Sequence, residues 1–413
     1  MTKAAEPGRP FALPGAGRNL ALATLASAVG FWGWTVIAPL GSRYAHQMGL
    51  DAAQTGALVA MPVLVGSLGR VPVGVLTDRF GGRLLLSVIL AATAPLVLLV
   101  ALAGSIGSFW LMILFGFLLG AAGTVFTAGI PFAAAWYPAQ RRGFATGVFG
   151  MGMGGTALSA FLTPRLVQSM GYWPTHVLIA VLLVATAVVV LVGMRESPGW
   201  TPVQHGTFGK LLEAAKLPVT WQLCFLYAVV FGGFVSFCTY LPTYLRDIYS
   251  FDLTAAGTRT AGFALAAVIA RPIGGVVADR IGPRPVVLAS LVGVAVLAYI
   301  VNLQPSGEVP TGLAFVAMAA ALGLGAGGVF AWVGQRAPAG MVGAVTGVVS
   351  AAGGLGGYIP PLVMGATYNA AEHSYAIGLM LLVATALLAL VLAALVGLRL
   401  SRRTERTTAT DSP

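Results

Sequence analysis

Charge is what this sequence lacks. Only 8% of its 413 residues are Asp, Glu, Lys or Arg, against about 25% in a soluble domain. With 58% apolar residues and a mean hydropathy of +0.89, most of the chain must face lipid or other apolar helices. Acid is scarcer than base, 12 residues against 23, and every Asp and Glu falls at the end of an apolar run, in a connection or in a tail. The two cysteines, Cys224 and Cys238, stand in one predicted helix about 21 Å apart by helical rise. That separation excludes a disulfide between them and leaves them as packing residues. The four histidines, His46, His176, His205 and His373, show no metal-ligand spacing. No nucleophile–base pair stands out, and strings of the Gly-x-Gly-x-x-Gly kind lie inside apolar runs rather than after a strand. No enzyme, metal or cofactor is expected. The formal charge of +11 sits in short connections between apolar runs. That is the pattern that orients a membrane protein, and a nucleic-acid partner is not expected.

Long apolar runs are what the sequence has. Twelve are read, at roughly 18–42, 53–77, 84–103, 107–136, 143–168, 174–194, 217–245, 256–278, 285–303, 311–335, 341–368 and 374–398. Each suffices for a hydrocarbon core of about 30 Å, and none alternates as a barrel strand does. The first run is long enough to stay as an anchor rather than to be cleaved. The expected fold is an all-α membrane protein with two six-helix bundles, 18–194 and 217–399. A polar linker, 195–216, joins them, and tails occupy 1–17 and 400–413, the second disordered. With both termini cytoplasmic, 17 of the 23 basic residues fall inside and four outside, so the positive-inside rule selects this topology for a multi-pass protein of the cell membrane.

The halves repeat each other. Arg70-Val-Pro-Val-Gly-Val-Leu-Thr-Asp-Arg-Phe-Gly-Gly-Arg83 returns without a gap as Arg271-Pro-Ile-Gly-Gly-Val-Val-Ala-Asp-Arg-Ile-Gly-Pro-Arg284, with seven of 14 positions identical. An internal duplication is the reading. Arg70 lies eight residues before Asp78, so about 12 Å from the loop and near the bilayer middle. An arginine there costs at least about 2.5 kcal/mol, and no carboxylate lies at the same depth to offset it. Carbonyls, water or a bound anion are the remaining partners. The guanidinium fork matches the paired oxygens of a small oxyanion. A purely structural role, fastening each helix to neighbouring carbonyls, is the plainer alternative.

Asp78, Arg79 and Arg83, with their repeats Asp279, Arg280 and Arg284, sit at the loop ends. They read as gating contacts that hold one state closed and break in the other, or simply as topogenic charge. Gly150, Gly152 and Gly154 in the fifth run, and Gly353, Gly354 and Gly356 in the eleventh, read as pathway lining or as helix-packing positions. Phe126, Tyr227 and Phe231 are candidates to sandwich a planar anion, Tyr227 and Phe231 being four apart on one helical face.

The two Gly-x-x-x-Asp-Arg-x-Gly-x-Arg loops resemble the motif between the second and third helices of the major facilitator superfamily. Within it, the chain resembles the nitrate/nitrite porter family. The likeness rests on Arg70, on Ala-Arg-Pro-Ile-Gly-Gly around Arg271, on Gly-Val-Phe-Gly-Met-Gly-Met-Gly-Gly-Thr-Ala-Leu (147–158) and on Gly-Gly-Leu-Gly-Gly-Tyr-Ile-Pro-Pro (353–361). The resemblance implies a twelve-helix secondary transporter of nitrate or nitrite working by alternating access. Arg70 and Arg271 would then be anion ligands, Tyr227 and Phe231 would match a Tyr-x-x-x-Phe of the seventh helix, and Phe126 an aromatic of the fourth. Met153 stands where that family often has Asn, which removes an amide donor. Exchange and proton-coupled uptake both stay open. So do another small anion such as formate or oxalate and, in another class, a membrane anion sensor without flux. A monomer is expected.

Overall fold

The computed structural model describes residues 12–138, 142–202, 207–305, 308–338 and 341–410. Among these, eleven helices are long and apolar enough to cross a membrane, and a bent pair supplies a twelfth span. In order they are Ala16–Met48, the pair Ala52–Leu68 and Arg70–Phe80, Gly82–Ile106, Phe109–Ala135, Ala145–Met170, Tyr172–Gly193, Pro218–Tyr249, Leu253–Ile281, Pro283–Asn302, Val309–Arg336, Ala344–Ala366 and Ala376–Leu395. They are called the first to twelfth spans. Among the described residues the only β-pairing is an isolated bridge between Asn369 and Ser374.

The duplication extends to the helix ends. Asp51 caps the second span by accepting from the Gln54 amide at 2.7 Å, and its own amide donates back to Gln54 Oε1 at 3.1 Å. Asp252 caps the eighth, accepting from the Ala255 amide at 2.6 Å. Each cap satisfies a donor that the first helical turn leaves free. Asp252 is thereby held below the usual carboxylate range, chiefly by that backbone bond. The same two spans end at Gly81 and Gly282, whose φ angles of 84° and 90° favour a residue without Cβ.

The second span is bent by 43° between Leu68 and Arg70. Pro72 explains the break: it has no N–H to offer Leu68, and its ring crowds that carbonyl. The arginine therefore starts a new helical segment at the bend. Pro272 of the eighth span lies in an unbroken helix.

Glycine sets how closely the spans approach. A Cβ on Gly120 would lie 2.5 Å from the Pro62 carbonyl, and one on Gly232 2.5 Å from Gly356. The two halves meet along the second and eleventh spans and along the fifth and eighth. They clasp at the end remote from the Asp78 and Asp279 loops. There a Cβ on Gly56 would come within 2.6 Å of the Pro361 carbonyl, Gly365 abuts Ala52, and Gly257 abuts Ala160. Arg165 Nη2 also donates to Thr258 Oγ1 at 2.7 Å. At the loop end Leu76, Arg79, Phe80, Asp279, Arg280 and Ile281 are exposed.

Two expectations change. The linker contains a helix, Thr207–Lys216, because Leu-Leu-Glu-Ala-Ala-Lys places Leu211 and Ala214 on one face and Glu213 and Lys216 on the other. Ala214 is fully buried, and the helix packs on the eleventh span. The last helix also runs on to Thr410 rather than giving way near residue 400. Its arginines and glutamate are good helix formers, and no Gly or Pro interrupts them before Pro413. Residues 1–11 of the first tail, 203–206 of the linker and 411–413 lie outside the described residues.

Candidate functional site

Arg70 is 3% exposed. Its Nε donates to the Gly66 carbonyl at 3.2 Å, within its own span. Its Nη1 crosses to the other half, donating to the Ser350 carbonyl at 2.6 Å and to Ser350 Oγ at 2.9 Å. Among the described residues, Nη2 is buried with no partner. Hydrogen bonds to a charged group contribute about 1.5–3 kcal/mol each, so these acceptors offset the insertion cost of the arginine. They leave Nη2, with both its N–H groups, unused. The plainer alternative thus holds in part, since Arg70 does fasten two helices.

Arg271 mirrors this from the second half. Its Nη1 lies 3.1 Å from Met153 Sδ of the fifth span, and its Nη2 donates to Tyr227 OH at 2.8 Å. Each arginine thus donates to one residue of the opposite half. Their partners are carbonyls, a hydroxyl, a phenol and a thioether, all neutral.

Aromatic faces surround the pair. The guanidinium carbon of Arg271 is 5.4 Å from the Phe126 ring centroid, 5.9 Å from Tyr227, 5.4 Å from Phe231 and 5.3 Å from Phe330. That of Arg70 is 5.5 Å from the same Phe231 ring, so one ring serves both cations. Tyr227 and Phe231 stack with centroids 4.8 Å apart and planes 4° from parallel. Cation–π contact of a desolvated guanidinium is worth about 2 kcal/mol. It steadies each cation without neutralising it.

The five residues expected at the centre, Arg70, Arg271, Tyr227, Phe231 and Phe126, therefore come together. Sequence reasoning missed Ser350 and Phe330, and it read Met153 only as the loss of an amide. A signal existed for Phe330, which stands in the tenth span where Phe126 stands in the fourth. None marked Ser350, because a lone serine in an apolar run carries no pattern.

The glycines divide. Gly152 abuts Thr24 and Ser27, Gly354 abuts Ser67, Gly356 abuts Ala228, and Gly353 lies against the Tyr227 and Phe231 rings. These four are packing positions. Gly150 and Gly154 have open space where a Cβ would stand. Gly150 lines a cavity of about 10 Å³ beside Arg271, room for about one water.

Two of the loop charges bind within their own halves. Arg83 Nε donates to the Leu191 carbonyl at 2.8 Å, and Arg284 Nη2 to the Ala394 carbonyl at 3.1 Å. Loop arginines thus hold the third span to the sixth and the ninth to the twelfth; Leu191 lies in the last turn of its helix, where a cation is favoured. Glu196 accepts from the Arg83 amide at 2.7 Å and packs over Gly81. Burial pushes its carboxyl above the usual range, against the pull of that bond and of the Arg83 charge. Arg79 lies over Phe80, at 5.2 Å. Asp78 is half-buried, and Asp279 and Arg280 are exposed.

The family model described as Major Facilitator Superfamily matches residues 23–259 and 223–412. The chain is 57% identical over 382 residues to the probable nitrate/nitrite transporter NarK2 of Mycobacterium tuberculosis, covering 92% of this chain and 96% of that one. It is 33% identical to the nitrite extrusion protein of Bacillus subtilis, over 91% of this chain and 93% of that one. The probable nitrate/nitrite antiporter NarK1 of Thermus thermophilus is also 33% identical, over 84% of each chain. Among solved structures, the human organic anion transporter MFSD10 superposes with a TM-score of 0.70 at 15% identity, over 92% of this chain and all of that one. A bacterial homologue of the lysosomal transporter Spinster superposes at 0.68 and 20%, over 94% and 96%. With its duplicated halves, its paired arginines and these relatives, the chain belongs to the major facilitator superfamily and, within it, to the nitrate/nitrite porter family.

Proposed function

We propose that this transporter carries nitrate and nitrite, gripping one anion between Arg70 and Arg271. One observation carries the reading: a buried guanidinium with an unused nitrogen shares the Phe231 ring with a second guanidinium, and among the described residues their acceptors are neutral. A planar oxyanion offers the charge and the paired oxygens that such a site lacks.

Alternating access follows from the bonds that cross between the halves. The anion competes with Ser350 for Arg70 and with Met153 for Arg271. Its arrival and departure therefore remake the contacts that join the two bundles. Closing the site empty would strand two cations in a low dielectric with neutral partners alone, which is costly. Exchange of one anion for another is the transport mode this charge balance favours, because an occupied site closes at lower net charge.

In the proposed topology both termini are cytoplasmic, and the clasped end at Gly56, Pro361, Gly257 and Ala160 faces outward. The structure would then be a state open to the cytoplasm. Asp78, Arg79, Arg83, Asp279, Arg280 and Arg284 would form the inner gate when that side closes. The proposed working unit is a monomer in the cell membrane.

The test is counterflow in proteoliposomes without a pH gradient. Labelled nitrite outside should accumulate against unlabelled nitrate inside. Uptake that needs an imposed proton gradient overturns the exchange mode. Uptake driven by internal formate or oxalate but by neither nitrogen oxyanion overturns the substrate.

A further inference from the structure

The Arg271 side of the site is short of donors. The small cavity beside it is lined by Met153, Phe231, Phe234, Ala267, Val268 and Leu322 with three small residues, and Arg271 supplies the only side-chain N–H or O–H among them. Met153 is 2% exposed, and its sulfur holds Arg271 Nη1 at 3.1 Å. A thioether is a weak acceptor and donates nothing.

From this geometry we infer that Met153 is a specificity-determining residue, setting the transporter to favour a two-oxygen anion, nitrite, over the three-oxygen nitrate. The inference rests on the anion site proposed above. An anion arriving at Arg271 displaces the sulfur from Nη1, after which sulfur and methyl flank the bound ion. Nitrite presents two oxygens, and the two guanidinium groups with Tyr227 OH suffice to receive them. Nitrate must also bring a third oxygen out of water. Against a thioether and phenyl rings that oxygen finds no donor, and an unmatched buried acceptor weakens binding.

Inhibition constants of nitrate and of nitrite against counterflow of ¹⁵N-nitrite in proteoliposomes test this on the full-length protein. The wild type should favour nitrite by about tenfold, the effect of one unmatched hydrogen bond. Met153→Gln, similar in length and carrying an N–H₂, should tighten nitrate about tenfold and change nitrite less than twofold. Met153→Leu removes the competing sulfur without adding a donor. It should tighten both anions about threefold and leave their ratio unchanged. Should the buried amide impair folding, the wild-type preference and the leucine variant still decide. A wild type that favours nitrate, a changed ratio in Met153→Leu, or an unchanged ratio in Met153→Gln overturns the inference and leaves the anion site standing. Wild-type vesicles that carry neither anion overturn the site and the inference together.

Discussion

Arg70 and Ser350 are joined by two hydrogen bonds from a single guanidinium nitrogen, and they belong to opposite halves of the molecule. The acceptors are a backbone carbonyl and a hydroxyl. Substitution removes only the second.

Ser350→Ala should therefore loosen the halves and free Arg70 for the anion. The melting temperature in detergent should fall by about 2 °C, while the dissociation constant for nitrite falls about threefold. Weaker nitrite binding in this variant would mean that Ser350 assists the anion rather than competes with it.

Tyr227 holds Arg271 through its hydroxyl and stacks on Phe231 through its ring. Tyr227→Phe keeps the stack and loses a hydrogen bond to a charged group, so transport efficiency should drop about tenfold. Tyr227→Ala should cost more than Tyr227→Phe, because the ring is lost as well. Equal rates for the two variants would deny the ring a role.

The Gly56 approach to Pro361 leaves no room for a side chain. Gly56→Val should pry the clasped end apart and shift the population toward the alternate state. Spin labels at Ala53 and Ala370, both exposed, should report longer distances by double electron–electron resonance. An unchanged distribution would mean that the clasp does not set the state.

Glu196 supplies a pH dependence. Its carboxyl is raised by burial, so the folded protein holds a proton that the unfolded chain has released. Stability then falls as pH climbs from the ordinary carboxylate value, about 4.3, through the raised one. Glu196→Gln keeps an acceptor for the Arg83 amide and removes the charge. Its melting temperature should be flatter than the wild type's as pH rises above the ordinary carboxylate value. Parallel curves would show that Glu196 does not titrate in that window.

The fold was legible because its signals are long and repeated. Twelve apolar runs and two loop motifs in one register placed every span, though the first helix runs on to Met48 and the last to Thr410. The centre was legible through charge: two arginines in apolar runs mark themselves. What escaped notice was whatever depends on a partner from a distant span. Ser350 and Met153 matter because helices from opposite halves bring them to a guanidinium group, and neither has a local pattern. The linker helix was overlooked because its polar composition hid a short amphipathic repeat. The loop arginines read as gating contacts or as topogenic charge; Arg83 and Arg284 donate to carbonyls within their own bundles, partners that sequence spacing does not reveal.

Nitrite counterflow by Arg70→Lys and Arg271→Lys, set against the wild type in the same proteoliposomes, tests the central claim most directly. Lysine keeps the charge but loses the planar fork. Both variants should reconstitute with the wild-type elution profile and lose at least about tenfold in uptake, the effect of a single strong hydrogen bond. Wild-type rates in both would contradict an anion held between the two arginines.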